Sequence, residues 1–236
     1  MEKNFLNITM RKVQFTILLI VFSAPTFPIG TKESRKNIPK IDFSCSGCEL
    51  LYEQMKLEGL IQFNTFKAAY TGYIKLNIQN NPLLTVIDFN LPSSKKRMYV
   101  LNLVKKEVLF VSYVSHGRNS GGNYATSFSN RNGSHQSSLG FYRTAGTYEG
   151  GNGYSLLLDG LEEGINDQAR PRAIVIHGAD YCSEEVIRSS GRLGRSFGCP
   201  ALPRELAKHI INTIKGRSLL FIYANQSDYL AMSEVL

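Results

Sequence analysis

The chain of 236 residues reads as an α+β protein, mainly β. Three observations predict this class. Apolar residues recur at three- and four-residue steps between Cys48 and about Asn77, short Val-, Ile-, Tyr- and Phe-rich runs fill the chain beyond Pro82, and a second amphipathic segment follows Pro203. In the first segment Phe63, Phe66, Tyr70, Tyr73, Ile74 and Ile78 share one helical face, which must pack on the rest of the protein. The β-type runs are Leu83–Phe89, Arg97–Leu103, Val108–Val114, Tyr154–Leu158, Ala173–Ile176 and Ser218–Tyr223, bounded by Gly, Pro, Asn or Ser. The stretch from Gly117 to Gly153 is crowded with Gly, Ser and Asn, and loops of that length are functional or contain irregular strands. In the late helix Pro203 suits the first turn, Leu206, Ala207, Ile210, Ile211 and Ile214 form the buried stripe, and Gly216 suits the end.

Composition excludes several classes. With 43% hydrophobic, 19% charged and 11% aromatic residues the chain has the make-up of a folded globular protein, and no repeat or low-complexity tract is visible. The longest apolar stretch, Val13–Phe22, is interrupted by Gln14 and Thr16 and is far short of the roughly 20 residues a membrane-spanning helix needs. It follows Lys3, Arg11 and Lys12 and ends at Ser23-Ala24-Pro25, which is the layout of a secretory signal peptide; a buried N-terminal helix is the alternative. The expected organisation is therefore a signal peptide over 1–23, a Pro- and charge-rich linker over 24–47, a helical N-terminal element over 48–82, and the main domain over 83–236. Residues 1–23 carry three basic residues and one acidic residue of a chain at +8, so the remainder is still basic, at +6. Such a charge draws anionic partners without specifying them. The basic residues form no long stripe interleaved with aromatics, and no nucleic-acid motif is present.

Export to an oxidising compartment, periplasm or cell envelope, gives the cysteines meaning. Cys45, Cys48 and Cys182 are candidates for a disulfide, either within Cys45-Ser-Gly-Cys48 or from that segment to Cys182. A zinc site would need a second Cys-x-x-Cys or a His pair, which the sequence lacks. At least one thiol is left over, and Cys199 lies in the most informative stretch of the chain.

That stretch begins with Ala173-Ile-Val-Ile-His177-Gly178. The apolar run predicts a central strand that delivers His177 at its end. Ser196-Phe-Gly-Cys199-Pro-Ala follows. A thiol is mostly protonated at neutral pH, and an imidazole that takes its proton turns the sulfur into a strong nucleophile for acyl transfer. Gly198 lets a substrate carbonyl approach the main chain, and Pro200 has no N–H, so backbone donors for an oxyanion come from Cys199 and its upstream neighbour Gly198. Ser196 and Gly178 flank the pair and are candidate substrate contacts. Arg192 and Arg195 are close enough in sequence to favour a thiolate or to hold a substrate carboxylate in a forked hydrogen bond.

His-Gly followed by Ser-x-Gly-Cys resembles the YkuD-type L,D-transpeptidase catalytic domain, a bacterial cell-wall family. The segments Arg172-Ala-Ile-Val-Ile-His-Gly-Ala179, Gly191–Pro203 and Ser137-Ser-Leu-Gly140 look like its murein L,D-transpeptidase branch. So do Val86–Phe89, Ser115-His-Gly117, Phe128-Ser-Asn130 and Tyr154–Gly160. The resemblance covers roughly residues 50–223. It implies a β-rich catalytic fold over the main domain, with a helical N-terminal element and a late packed helix. It also implies attack by Cys199 after the third residue of a peptidoglycan stem tetrapeptide, with His177 as general base and acid. Donor and acceptor stem peptides would be the partners, and no metal or organic cofactor is required. Hydrolysis of the same bond, or a non-catalytic peptidoglycan-binding module, are the alternatives. Two departures matter. Phe197 stands where many members carry a second His, and Pro200-Ala201 stand where many carry an Arg, so Arg192, Arg195 and Arg204 become candidates for an anionic substrate group.

The other histidines carry weaker signals. His116, in Ser115-His-Gly-Arg118, could line the substrate groove, although a hydrogen-bonding structural role is the commoner one. His135 falls in the polar loop and His209 in the late helix. Tyr142, Tyr148 and Tyr154 border the Gly-rich region as groove walls or as packing residues.

Overall fold

The computed structural model describes residues 45–78 and 81–236. The signal peptide and nearly all of the linker expected for residues 1–47 lie outside the described residues. Two helices open the described chain, α1 (Cys45–Gln54) and α2 (Phe63–Lys75). The helical pattern read from Cys48 therefore starts three residues earlier. Phe66, Ala69, Tyr70 and Tyr73 form the buried face of α2, which packs against the sheet, and Tyr52 of α1 meets Phe63 and Phe66 ring to ring.

The eight strands are β1 (Leu83–Asp88), β2 (Met98–Asn102), β3 (Glu107–Ser112), β4 (Gly140–Gly150), β5 (Gly153–Gly160), β6 (Val175–Ala179), β7 (Ala201–Pro203) and β8 (Leu219–Tyr223). They form one mixed sheet in the order β3-β2-β1-β8-β4-β5-β6-β7. Two pairs are parallel, β1 with β8 and β6 with β7; the others are antiparallel. The remaining helices are α3 (Glu184–Ser190), α4 (Arg204–Ile214) and α5 (Ser227–Met232). This is the expected α+β, mainly β class. The α4 stripe buries Ala207, Ile210, Ile211 and Ile214 against β6 and β7, with Leu206 at its margin. Burial of a full aliphatic side chain contributes roughly 1.5–3 kcal/mol, so this stripe does more than helix propensity to hold α4.

One sequence expectation is met in detail and two change. The Gly-rich stretch contains the whole of β4, an irregular strand as expected, broken by a bulge between Thr144 and Thr147. Its glycines and the bulge mask its β pattern. Next, the strand read as Ala173–Ile176 begins two residues later, because Ala173 sits at φ +55 in a turn closed by the Ala173 and Ile174 amides. It is also not central, since only the three-residue β7 lies beyond it. His177 is therefore inside the ladder, opposite Ser155 of β5 and Ala201 of β7. Finally, Cys182 carries no disulfide. Its thiol is free and buried in an apolar cluster with Ala179, Leu193 and Ala201, which excludes a bridge to the Cys45–Cys48 segment.

Candidate active site

The parallel register of β6 and β7 sets the site. His177 pairs with Ala201, and two residues back along both chains Val175 lies beside Cys199. The Cys199 Sγ accepts the Val175 N–H at 3.4 Å, and the thiol faces the Ala173 carbonyl at 3.6 Å. Nucleophile and imidazole thus come from neighbouring chain segments on one edge of the sheet, although 22 residues separate them in sequence.

His177 is only 4% exposed. Its Nδ1 lies 3.0 Å from the Gly178 carbonyl. A carbonyl only accepts, so Nδ1 carries the proton and Nε2 keeps the lone pair of a base. Gly178 has a second task. A Cβ there would lie 3.0 Å from the Ala207 Cβ, so a glycine allows α4 to approach β6 closely. Gly178 thus bears on the His177 ring and on the approach of α4.

A short, fully bonded turn carries Cys199. Ser196 Oγ accepts the Gly198 N–H at 3.0 Å and donates to the Cys199 carbonyl at 2.6 Å. The Ser196 N–H donates to the His116 carbonyl, and the Ser196 carbonyl accepts from the Arg118 N–H. Ser137 Oγ donates to the Gly198 carbonyl at 2.9 Å and accepts the Gly117 N–H at 3.0 Å. Gly198 is at φ +127, and a Cβ there would lie 2.8 Å from the Gln136 carbonyl oxygen and 2.9 Å from Ile174, so only glycine fits without displacement. These bonds revise two readings. The Gly198 N–H, expected as an oxyanion donor, is committed to Ser196, which leaves the Cys199 N–H as the donor of that pair. Ser196, expected to touch substrate, is buried and has both hydroxyl functions occupied within the turn.

The cation beside the nucleophile is Arg172, not Arg192 or Arg195. Its Nη1 donates to the Ser129 carbonyl at 2.7 Å and to Ser138 Oγ at 2.6 Å, and its Nη2 to Ser134 Oγ at 3.2 Å and the Gln136 carbonyl at 2.6 Å. The guanidinium ties the loop 129–138 to the foot of β6, and its charge favours the Cys199 thiolate. Sequence reasoning passed over Arg172 because it weighed only arginines near Cys199 along the chain. The signal was present in the segment Arg172–Ala179, where an Arg directly precedes the His-bearing run.

Burial outweighs these donors at the thiol. It pushes the Cys199 pKa up from 9.0, with the Val175 N–H and Arg172 opposing. Burial also lowers the His177 pKa from 6.5, against the pull of the Gly178 carbonyl, and the Arg204 charge adds to the lowering. Both shifts favour the uncharged forms, thiol and imidazole. Neither shift favours the ion pair expected from sequence.

The remaining residues divide clearly. His116 is 0% exposed and does not line a groove. Its Nδ1 accepts from Arg97 Nη2 at 2.8 Å, and its ring stands edge-on to Phe89. Arg97, also fully buried, donates to the Val114 and Leu91 carbonyls and lies 4.7 Å from the Phe89 ring centroid. Arg204 is paired with Asp180, Nη2 to Oδ2 at 2.8 Å, and so is not the free anion holder proposed from sequence. Arg192 Nη1 donates to the Leu193 carbonyl, and Arg195 Nη1 to the Arg118 and Gly121 carbonyls. Phe197 stands out from the turn, 63% exposed. Among the described residues no group of His, Cys, Asp or Glu is arranged to hold a metal, and no helix is long and apolar enough to cross a membrane.

No curated protein matches this chain. Among solved structures, an L,D-transpeptidase from Mycobacterium smegmatis aligns at 13% identity over 61% of this chain and 59% of its own, with a TM-score of 0.38. L,D-transpeptidase 3 from Mycobacterium tuberculosis aligns at 13% identity over 61% of each chain, also at 0.38. The helical cell shape determining protein Pgp2 from Campylobacter jejuni aligns at 14% over 62% of this chain and 48% of its own, at 0.43. The chain thus spans less than two thirds of the length of these structures. The family model described as L,D-transpeptidase catalytic domain matches residues 57–223, more than half of the sequence and the whole of the site described above; the chain belongs to that family of cell-wall enzymes.

Proposed function

We propose that this protein is an exported cysteine acyltransferase that acts on peptidoglycan stem tetrapeptides through a thioester on Cys199. The observation that carries the reading is the His177 Nδ1–Gly178 carbonyl contact, which leaves Nε2 as a base on the strand beside the one that follows Cys199. Export rests on the basic, apolar and small-residue layout of residues 1–23. The division into a linker over 24–47, a helical element over 48–82 and a catalytic domain over 83–236 belongs to the same reading.

The reaction follows from the groups present. The Cys199 sulfur attacks the carbonyl carbon of the third stem residue as its proton passes to His177 Nε2. The Cys199 N–H donates to the developing oxyanion. His177 then returns the proton to the leaving amine, D-alanine departs, and the thioester remains. An amine of a second stem peptide attacks the thioester, gives its proton to His177 and regenerates the thiol, leaving a 3→3 cross-link. Water in place of the amine would give trimming.

Intact mass after exposure to a defined tetrapeptide tests the first half. The expected result is an adduct lacking D-alanine on Cys199, lost in Cys199→Ala and His177→Ala variants that keep the wild-type circular dichroism spectrum. Turnover retained by either variant rejects the mechanism. Products formed with excess acceptor amine, weighed by mass spectrometry, separate cross-linking from hydrolysis. Muropeptide binding without any Cys199 adduct, from the peptide or from a carbapenem, would make the protein a binding module.

A further inference from the structure

Arg118, Arg192 and Arg195 lie near one another by the nucleophile turn, and among the described residues none of them makes an ion pair. Arg118 follows the Gly117–Ser196 bridge and donates its N–H to the Ser196 carbonyl at 2.7 Å. Arg195 precedes Ser196 and binds the Arg118 carbonyl; desolvation first, and then the charges of Arg192 and Arg118, disfavour its protonated form. Like charges brought together without an acid cost free energy, and an anion offsets it.

A second observation lies on the same surface. Phe197 is the most exposed of the large hydrophobic side chains among the described residues. Its ring is 4.6 Å from that of His135 and 5.6 Å from the Arg118 guanidinium. Along the turn Ser196 and Gly198 are buried, whereas Phe197 and Cys199 are not. An exposed ring with a guanidinium against it therefore stands two residues before the nucleophile on the same turn.

The cations already described have hydrogen-bond partners of their own. Arg172 is held by four acceptors, Arg204 by Asp180, and Arg195 by two carbonyls. The Arg118 side chain makes no hydrogen bond among the described residues, so its five N–H donors remain available.

We propose that Arg118 and Phe197 form a subsite for a substrate carboxylate flanking the scissile bond. The guanidinium takes the carboxylate in a forked pair, Phe197 covers the aliphatic stem that carries it, and Arg195 holds the Arg118 backbone in place. This inference rests on the acyl-transfer reading for the identity of the ligand. Two carboxylates qualify, the side-chain carboxylate of an acidic third residue and the C-terminal carboxylate of the fourth.

Calorimetry on the full chain carrying Cys199→Ala separates them. Three synthetic tetrapeptides are compared: both carboxylates free, the side-chain carboxylate amidated, and the C-terminal carboxylate amidated. One amidation is expected to weaken binding about tenfold, and Arg118→Gln should lower affinity for the free peptide to that of the amide. Arg118→Lys should retain part of the preference. Equal binding of all three peptides, a preference that survives Arg118→Gln, or no binding at all overturns the subsite. The acyl-transfer reading is judged separately by the Cys199 adduct. A carboxylate preference without an adduct rejects the chemistry and keeps the subsite; an adduct with a preference indifferent to Arg118 does the reverse.

Discussion

Acid should loosen this protein through His116. The ring is buried against Arg97, and its Nδ1 accepts a hydrogen bond from that guanidinium. Protonation would set two cations face to face with no carboxylate between them. Burial first, and the Arg97 charge second, lower the His116 pKa from 6.5 to about 4, while the Gly121 and Gly122 backbone opposes the shift. Below pH 6.5 the unfolded chain binds a proton at this position and the folded chain does not. The contribution to stability is therefore fully present above pH 6.5, falls as the pH drops, and is gone near pH 4. The gap between the two values corresponds to roughly 3 kcal/mol in all, and roughly 2 kcal/mol of it is lost by pH 5. Urea denaturation at pH 7, 6, 5 and 4 measures this directly. The control is His116→Asn, whose amide oxygen can take the place of Nδ1 as acceptor for Arg97 but cannot titrate. The wild type should lose roughly 2 kcal/mol more than the variant between pH 7 and pH 5. Parallel pH profiles would refute the reasoning. The consequence reaches the site, because the His116 carbonyl holds the Ser196 N–H of the nucleophile turn.

Three further outcomes follow from the site. Because the Cys199 pKa is raised and that of His177 is lowered, alkylation by iodoacetamide should be slow at pH 7 and climb with pH toward and beyond 9; a fast plateau near neutrality would mean a resting ion pair. Gly198→Ala should destabilise the protein by about 2 kcal/mol or more in urea and slow alkylation, since the residue is at φ +127 with the Gln136 carbonyl in the way; wild-type stability would show that the turn can shift. Arg172→Met should move the pH dependence of Cys199 alkylation upward and cost about 1–3 kcal/mol through the freed loop 129–138, and Arg172→Lys should restore the charge effect more than the tether; an unchanged alkylation profile in Arg172→Met would remove Arg172 from the electrostatics of the thiol.

Much of the fold was legible where one face of an element is buried and the other is not. The stripe of α4 and the aromatic face of α2 repeat at helical steps because each packs one side against the sheet. The strand β8, Leu219–Tyr223, reads directly because all five of its residues are buried. In contrast β4 was hidden. Its inner half, Gly140–Tyr142, is buried, but the bulge at Thr144–Thr147 breaks the alternation and its far end, Thr147–Gly150, is largely exposed. The helix α3 has no buried residue, so no apolar period marks it, although Ser183 caps it by accepting the Val186 N–H and Gly191 ends it at φ +74.

The chemistry of the site was written in short-range pattern. His177-Gly178 and Ser196-x-Gly198-Cys199 name the base and the nucleophile because each group needs its immediate neighbours: a carbonyl that orients the ring and a glycine that permits the turn. Which cation serves the sulfur, which histidine is structural, and which N–H donors remain unspent were decided only by the tertiary structure. The bonds responsible join Arg172 to Gln136, Arg97 to His116 and Ser137 to Gly198, pairs 36, 19 and 61 residues apart. Proximity along the chain favoured Arg192 and Arg195, but electrostatic coupling depends on distance in space and on burial, and those come into being only when the sheet and its loops close around the thiol.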